Sequence, residues 1–422
     1  WLWFDLAARQ VNGSILPPQF RWNWNSPMTL SPGNPRTVYV GANHVFRSRD
    51  RGETWRIISP DLTKNRPETR NSSRSGGTVR DATGAENHHT IYTIGESPVD
   101  PSVIWAGTDD GNVQVTRDGG DSWTNVAPNM PGLPGGLWVS HVEPSHHAAS
   151  VAYVAVDGHR SGDTSPYIYR TDDFGRSWTR ITDGIPAEHP GNSVRVVVED
   201  PEDPDLLFAG TEFGAFVSLD RGESWQRFMS GLPPVAVRDL VIHPREDDLV
   251  AGTHGRSVWV ADDISPLRAL TDSVRDRPVH VFENPVATRW LDRTNYTLRT
   301  SLKFNGENPP AGAAVTFWNG SGEPGDTATV VVEDPVTGRR AELRTPAAPG
   351  VNRAHWDMGF APSPGAVSAY RAGLLEAAEY ARTRLQEAEA GGEAGPADPP
   401  LDLMADDVLE PQRAPDRLED LE

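Results

Sequence analysis

Short apolar runs broken by turn residues recur along the first 265 residues of this 422-residue chain. One set reads Val38-Tyr-Val-Gly41, Trp105-Ala-Gly-Thr108, Tyr153-Val-Ala-Val156, Phe208-Ala-Gly-Thr211 and Val250-Ala-Gly-Thr253. Each follows an earlier apolar run that ends near a proline: Pro32, Pro98, Pro144, Pro201 and Pro244. Strands of this length, bounded by Gly, Pro, Asn and Asp, predict a repeated antiparallel unit and not helices. After Pro266 the pattern changes. Runs at 279–282, 314–318, 328–333, 341–344 and 352–356 predict a separate set of strands. The apolar stretch within 328–333 predicts a strand buried on both faces, joined to the next by the Pro-Val-Thr-Gly turn at 335–338. Between 366 and 390, Leu374, Leu375, Ala378, Ala381 and Leu385 fall at helical spacing and predict one amphipathic helix.

A second signal runs through the repeat. Ser48-Arg-Asp50-Arg-Gly52-Glu-Thr54-Trp55, Thr116-Arg-Asp118-Gly-Gly120-Asp-Ser122-Trp123, Thr171-Asp-Asp173-Phe-Gly175-Arg-Ser177-Trp178 and Ser218-Leu-Asp220-Arg-Gly222-Glu-Ser224-Trp225 share one template. The aspartate can accept unpaired backbone N–H groups, the glycine can take positive φ, and the tryptophan supplies a large apolar surface to pack between units. These residues are therefore expected to build turns; Asp50, Asp118, Asp173 and Asp220 are not expected to do chemistry. A fifth copy keeps its strands but lacks the box, ending in Val258-Trp-Val-Ala-Asp-Asp263. Four-stranded units repeated in this way predict an all-β protein built on a β-propeller. Five blades are legible, at about 25–58, 88–128, 137–182, 192–229 and 236–263, within a propeller region of 1–265.

These boxes, with the Ser-Pro first-strand endings and Ala251-Gly-Thr-His-Gly-Arg256 followed by Asp262-Asp-Ile-Ser-Pro-Leu267, resemble Asp-box, or bacterial neuraminidase, repeats. The resemblance is to bacterial exported proteins of sortilin-like and xyloglucanase-like type, often labelled glycosyl hydrolases. It covers roughly residues 20–358. It implies rings of more than five blades, so an incomplete ring is expected, with residues 1–24 as strands of a sixth blade and an N-terminal truncation. The region 279–358 is expected to be a small fibronectin type III-like sandwich. Localisation follows from the same resemblance: periplasmic or secreted, although no signal peptide is visible from Trp1 onward.

Composition then narrows the chemistry. There are no cysteines, which removes disulfides, thiolate nucleophiles and Cys-ligated zinc. Net charge is −20, which argues against a phosphate-tracking groove, so no nucleic-acid partner is expected. No run is long and apolar enough for a spanning helix, so no membrane insertion is expected. Residues 360–422 carry 14 acidic against 5 basic side chains, and 391–422 are expected to form a disordered acidic tail.

Because turns alternate between the two faces of a blade, the boxes and the Pro turns share one side. The second-to-third turns and the blade connectors share the other. Loops on a rigid scaffold are where binding residues concentrate, so that second face is the candidate site. Its expected ligand-binding residues are His44, His159, Arg160, Asp163, His254 and Arg256; its candidate catalytic carboxylates are Asp109, Asp110, Asp157 and Glu212, with Asp163 in reserve. His88, His89 and His141 could face the channel, but a solvated or core role is the expectation, and neither a metal nor a cofactor is expected. The long connector 59–87 is expected to act as a mobile flap. Two functions fit: a recognition module for a glycan or peptide, favoured, and a glycoside hydrolase using a carboxylate pair.

Overall fold

The computed structural model describes residues 20–69, 87–187, 189, 191–288, 310, 312–361 and 364–389. Residues 1–19 of the expected sixth-blade region 1–24, most of the expected 59–87 flap and the tail at 391–422 lie outside the described residues, and residues 20–24 form no strand. The chain divides into two compact units, Trp1–Ala269 and Leu270–Glu422.

The first unit is a β-propeller, with five antiparallel sheets among the described residues. The first comprises β1 (Met28–Ser31), β2 (Asn34–Gly41), β3 (Val45–Ser48) and β4 (Arg56–Ile57). The second comprises β5 (Ile91–Glu96), β6 (Ile104–Thr108), β7 (Val113–Thr116) and β8 (Thr124–Asn125). The third runs through β9 (Trp138–Pro144), β10 (Ala152–Asp157), β11 (Tyr167–Thr171) and β12 (Thr179–Arg180), and the fourth through β13 (Val194–Glu199), β14 (Leu207–Thr211), β15 (Gly214–Ser218) and β16 (Gln226–Arg227). The fifth blade has three strands: β17 (Val237–Ile242), β18 (Leu249–Thr253) and β19 (Val258–Ala261). Its missing fourth strand matches the missing box. The first strand of each blade packs on that of the next, β1 on β5, β5 on β9, β9 on β13 and β13 on β17.

This stacking explains the sequence pattern. Strands β6, β7, β10, β13, β14 and β15 are buried at every position, because neighbouring blades cover both faces. Apolar runs without alternation follow from that burial. At the two ends of the series the cover stops: Met28 and Leu30 of β1, and Val258 and Val260 of β19, are exposed. Polar latches join blades as well. Tyr39 of the first donates to Glu96 of the second, which also accepts Ser31 Oγ at 2.5 Å. Tyr153 of the third donates to Glu199 of the fourth at 3.0 Å.

The four boxes share one hydrogen-bond scheme. In the second, Asp118 Oδ1 accepts the Ser122 N–H at 2.9 Å while Thr116 Oγ1 accepts the Gly120 N–H at 3.0 Å. Asp50, Asp173 and Asp220 accept the N–H groups of Thr54, Ser177 and Ser224 in the same way. These donors hold the anion, through the Ser122 and Thr54 contacts first, well below the usual range at Asp118 and at about 2 for Asp50. Two of the tryptophans tie blades together: Trp123 Nε1 donates to Ile58 O and Trp225 Nε1 to Ile181 O, both at 2.8 Å, each acceptor belonging to the preceding blade, while Trp55 Nε1 donates to Gly52 O of its own box.

In the second unit, β20 (Val279–Val281), β21 (Ala313–Asn319) and β24 (Gly350–Trp356) form one sheet, and β22 (Thr327–Glu333) pairs with β23 (Arg340–Pro346) as a hairpin. The expectation that 328–333 is buried on both faces is overturned. Strand β22 alternates exposed and half-buried positions, because a two-stranded sheet offers cover on one side only. Its inner face lines a groove of about 720 Å³ opposite Val315, Phe317 and Trp356. A helix spans Pro364–Glu389, and Leu374 and Leu375 on it are exposed. Among the described residues no helix is long and apolar enough to cross a membrane.

Candidate functional site

The loop face is built from three recurring positions, the first in all five blades and the other two in blades two to five. The residue at the end of the second strand, or one or two beyond it, is Asn43, Asp109, Asp157, Glu212 or His254. The residue before the first strand, or opening it, is Thr90, Trp138, Ser193 or Ala236. The third position is a β-bulge. The β5–β6 register skips Tyr92, β9–β10 skips Ser140, β13–β14 skips Arg195 and β17–β18 skips Arg238. A bulge leaves one residue out of the ladder and re-aims its side chain, and here it does so at the same point in four blades.

Across blades three to five these positions form an alternating chain of charge. Arg195 reaches Asp157 of the preceding blade and Glu212 of its own. Arg238 then approaches Glu212 Oε1 at 3.4 Å. On the other side, Arg160 Nη1 donates to Asp157 Oδ2 at 3.0 Å, and its guanidinium lies over the Trp138 ring at 3.9 Å. Tyr92 meets Trp138 edge-on at 5.2 Å. Asp157 also accepts the His159 N–H at 3.0 Å and the Ser193 hydroxyl at 2.7 Å. Burial alone would raise the Asp157 carboxyl, but Arg195, the His159 N–H and Ser193 outweigh it and hold it below the usual carboxylate range. His159 Nδ1 lies within hydrogen-bond distance of both Asp157 and Arg195 Nη2.

The other candidate carboxylates do not join this mouth. Asp109 is fully buried; Oδ1 accepts the Thr90 N–H at 2.8 Å, and Oδ2 lies 2.6 Å from Thr90 Oγ1 and 3.3 Å from Asn23 Nδ2. Burial pushes its carboxyl up to about 7 against those donors. That value suits a general acid, yet the group is sealed from any substrate. Asp110, buried beside it, takes His89 Nδ1 at 2.5 Å, the Lys64 N–H at 2.7 Å and Thr108 Oγ1 at 2.5 Å. Its burial would raise it; His89 first, then Thr108 and Lys64, hold it low. Two segments close this pocket. Arg21 bonds Asp61 at 2.7 Å and the His89 carbonyl at 3.1 Å, and His89 Nε2 lies 2.7 Å from Thr69 Oγ1. The expectation of Asp109 and Asp110 as catalytic candidates is therefore corrected: they pin residues 21–23 and 61–69 over the second blade.

The expected ligand-binding residues separate likewise. His159 and Arg160 are at the mouth. His44 Nδ1 instead lies 3.1 Å from Ser59 O, and the ring packs edge-on against Phe20. Asp163 turns back to the Ser165 N–H at 3.0 Å and the Tyr167 hydroxyl at 2.8 Å, closing its own loop. His254 and Arg256 are exposed on the fifth blade, where the Arg256 carbonyl accepts Trp259 Nε1. His89 is a buried structural residue, while His88 and His141 each keep a buried Nδ1 with no partner among the described residues. No group of three or more metal-ligating side chains occurs among the described residues.

Four residues of the mouth, Arg195, Arg238, Trp138 and Tyr92, are not among those that the sequence pattern singles out. A signal does exist for two of them: Val194-Arg195 and Val237-Arg238 set an arginine at the second position of a first strand. A charge recurring at that position marks the bulge that takes it out of the ladder.

No family model matches the chain, and no curated protein does. Among solved structures, it is similar to the GH74 xyloglucanase from Xanthomonas campestris, with 22% identity over 56% of this chain and 36% of that one and a TM-score of 0.42. An ancestral GH74 enzyme is 13% identical over 78% of this chain and 39% of that one, with a TM-score of 0.40. YCF48 bound to D1 peptide is 14% identical over 64% of this chain and 93% of that one, with a TM-score of 0.28. The chain thus spans well under half the length of either GH74 enzyme. Likeness at this level says nothing of what this chain acts on.

Proposed function

We propose that the first unit is an exported recognition module that holds a glycan or peptide ligand across the mouth formed by Trp138, Arg160, Glu212 and Arg238, with Asp157 and Arg195 buried beneath them. The observation that carries this reading is the placement of one guanidinium between the two carboxylates nearest the mouth. Glycoside hydrolysis by a carboxylate pair needs one member protonated and reachable and the other free to attack or to activate water. Asp157 is sealed and held ionised, Glu212 is bound to the same arginine, and Asp109 and Asp110 are committed to the core. What the mouth offers is a rigid set of donors and acceptors with an arginine and a tryptophan in contact, the residue types that dominate binding hot spots. Export rests on the repeat resemblance.

The test sets turnover beside binding on the full chain. A β-glucan and sialoside panel should show no hydrolysis, while glycan and peptide arrays should give a ligand whose binding weakens at least tenfold in Arg160→Ala. Hydrolysis that disappears in Glu212→Gln would replace this reading with the hydrolase one. A ligand that binds with equal strength to Arg160→Ala would show that the mouth is not the binding surface.

A further inference from the structure

The charges at the mouth do not balance. Three guanidinium groups, on Arg160, Arg195 and Arg238, meet two carboxylates, on Asp157 and Glu212, in a chain whose overall charge is −20. Arg195 is saturated by both carboxylates. Arg160 has one donor engaged, at Nη1. Arg238 makes no hydrogen bond among the described residues; its one ionic contact is the 3.4 Å approach to an oxygen that Arg195 already holds more closely. Partial burial, then repulsion from Arg195, pulls the Arg238 guanidinium below its usual range, with Arg160 adding to the repulsion. It is an under-neutralised cation, held by the fold beside others of its sign. Such an arrangement is costly unless an anion completes it.

The remaining groups describe what the anion is attached to. Among the described residues the side-chain contacts on Glu212 fall on Oε1, which leaves Oε2 as an acceptor for a ligand donor. The Tyr92 hydroxyl has no hydrogen-bond partner among the described residues, and its ring meets Trp138, under the Arg160 guanidinium, edge-on at 5.2 Å. Among the described residues at the three recurring positions of blades two to five, the apolar ones are Trp138, Tyr92 and the buried Ala236; Thr90, Ser140, Ser193, Asp157, Glu212 and His254 are polar. These positions therefore build no aliphatic pocket to anchor a peptide side chain. Forked donors beside an acceptor and a phenol match a carboxylate with neighbouring hydroxyls.

The geometry points to the mouth as a receptor for a uronic-acid-bearing glycan, with Arg238 and Arg160 taking the sugar carboxylate and Glu212 Oε2 and the Tyr92 hydroxyl taking its hydroxyls. This rests on the recognition reading and adds the ligand class to it. Guanidinium forks bind carboxylates in two parallel hydrogen bonds, which makes the preference specific for the acid over the neutral sugar. The interaction sits at the rim, so it should weaken with added salt.

The full chain should be titrated with oligogalacturonate, with the same oligosaccharide after carboxyl reduction, with a neutral xyloglucan oligosaccharide and with poly-glutamate. Oligogalacturonate is expected to bind at least tenfold more tightly than its reduced form. Arg238→Ala should erase that difference, and Arg238→Lys should retain part of it. The Arg238 side chain is 37% exposed, so melting temperatures of the variants should stay close to that of the parent. If one unfolds, the reduced-versus-acid comparison on the unaltered protein still decides. Equal binding of acid and reduced sugar at the mouth would overturn the uronate assignment and leave the recognition reading standing. Tighter binding of poly-glutamate would overturn it in favour of an acidic peptide. Binding of none of the four would count against the uronate assignment alone, since the wider arrays test recognition itself.

Discussion

Replacing Arg195 with alanine is expected to destabilise the first unit by about 3 kcal/mol or more at neutral pH, the largest single-residue effect foreseen for this chain. Among the described residues Arg195 alone touches both Asp157 and Glu212, and it is itself almost wholly buried. Removing it leaves the Asp157 anion inside the protein with Arg160, His159 and Ser193 as remaining partners. Those partners set the expected loss at the low end of the about 3–5 kcal/mol typical of a broken buried pair. The sign with pH follows. Asp157 is depressed in the folded protein, so its stabilising contribution is present above the unfolded carboxylate range and is lost as pH falls through the folded value. The gap between the variant and the parent should therefore narrow as pH drops below about 4. Urea denaturation at neutral pH and again about half a unit below that point reads both quantities. Adding Asp157→Asn to the variant should recover part of the loss, because the charge it neutralises is the source of the penalty. A variant as stable as the parent at neutral pH would show that the charge chain is a surface feature without cost.

The second large effect is expected at Gly120, where Gly120→Ala should cost about 2–4 kcal/mol. Two demands meet at this box glycine. Its φ is +107°, and a Cβ would lie 2.5 Å from the Ile58 carbonyl oxygen of the preceding blade. That oxygen also accepts Trp123 Nε1 at 2.8 Å, so the shift needed to admit a methyl group strains a blade-to-blade hydrogen bond. Gly132 supplies the comparison. It has φ +69°, and a Cβ added there would meet nothing within 4 Å, so Gly132→Ala should show the backbone cost alone, about 1 kcal/mol. Similar losses at the two positions would mean that blade contact adds nothing to the glycine requirement.

Much of the fold was legible in the sequence because its signals are local. The box bonds span four residues, as from Thr54 N to Asp50 Oδ1, and each repeats its own chemistry in place. The proposed mouth was legible only where a turn declares itself, as at Asp157, His159, Arg160 and Glu212. A turn aspartate looks the same whether its loop is open or covered. Asp109 and Asp110 are covered by residues 21–23 and 61–69, which are remote in sequence, and nothing local announces it. Arg195 and Arg238 were hidden for the opposite reason: an arginine at the second position of a first strand looks like an exception to the strand, and the bulge that takes it out of the ladder depends on pairing with the next strand. The Val330–Val332 run misled because apolar content implied burial on two faces where the hairpin has one.

If the boxes hold the blades while ligand chemistry lies on the opposite rim, hydrogen–deuterium exchange with and without saturating ligand should separate the two faces most directly. Protection should gather at 138–141, 157–163, 193–195 and 236–239, with 116–123 and 218–225 unchanged. Protection centred on the box turns, with the rim unchanged, would contradict this division of labour.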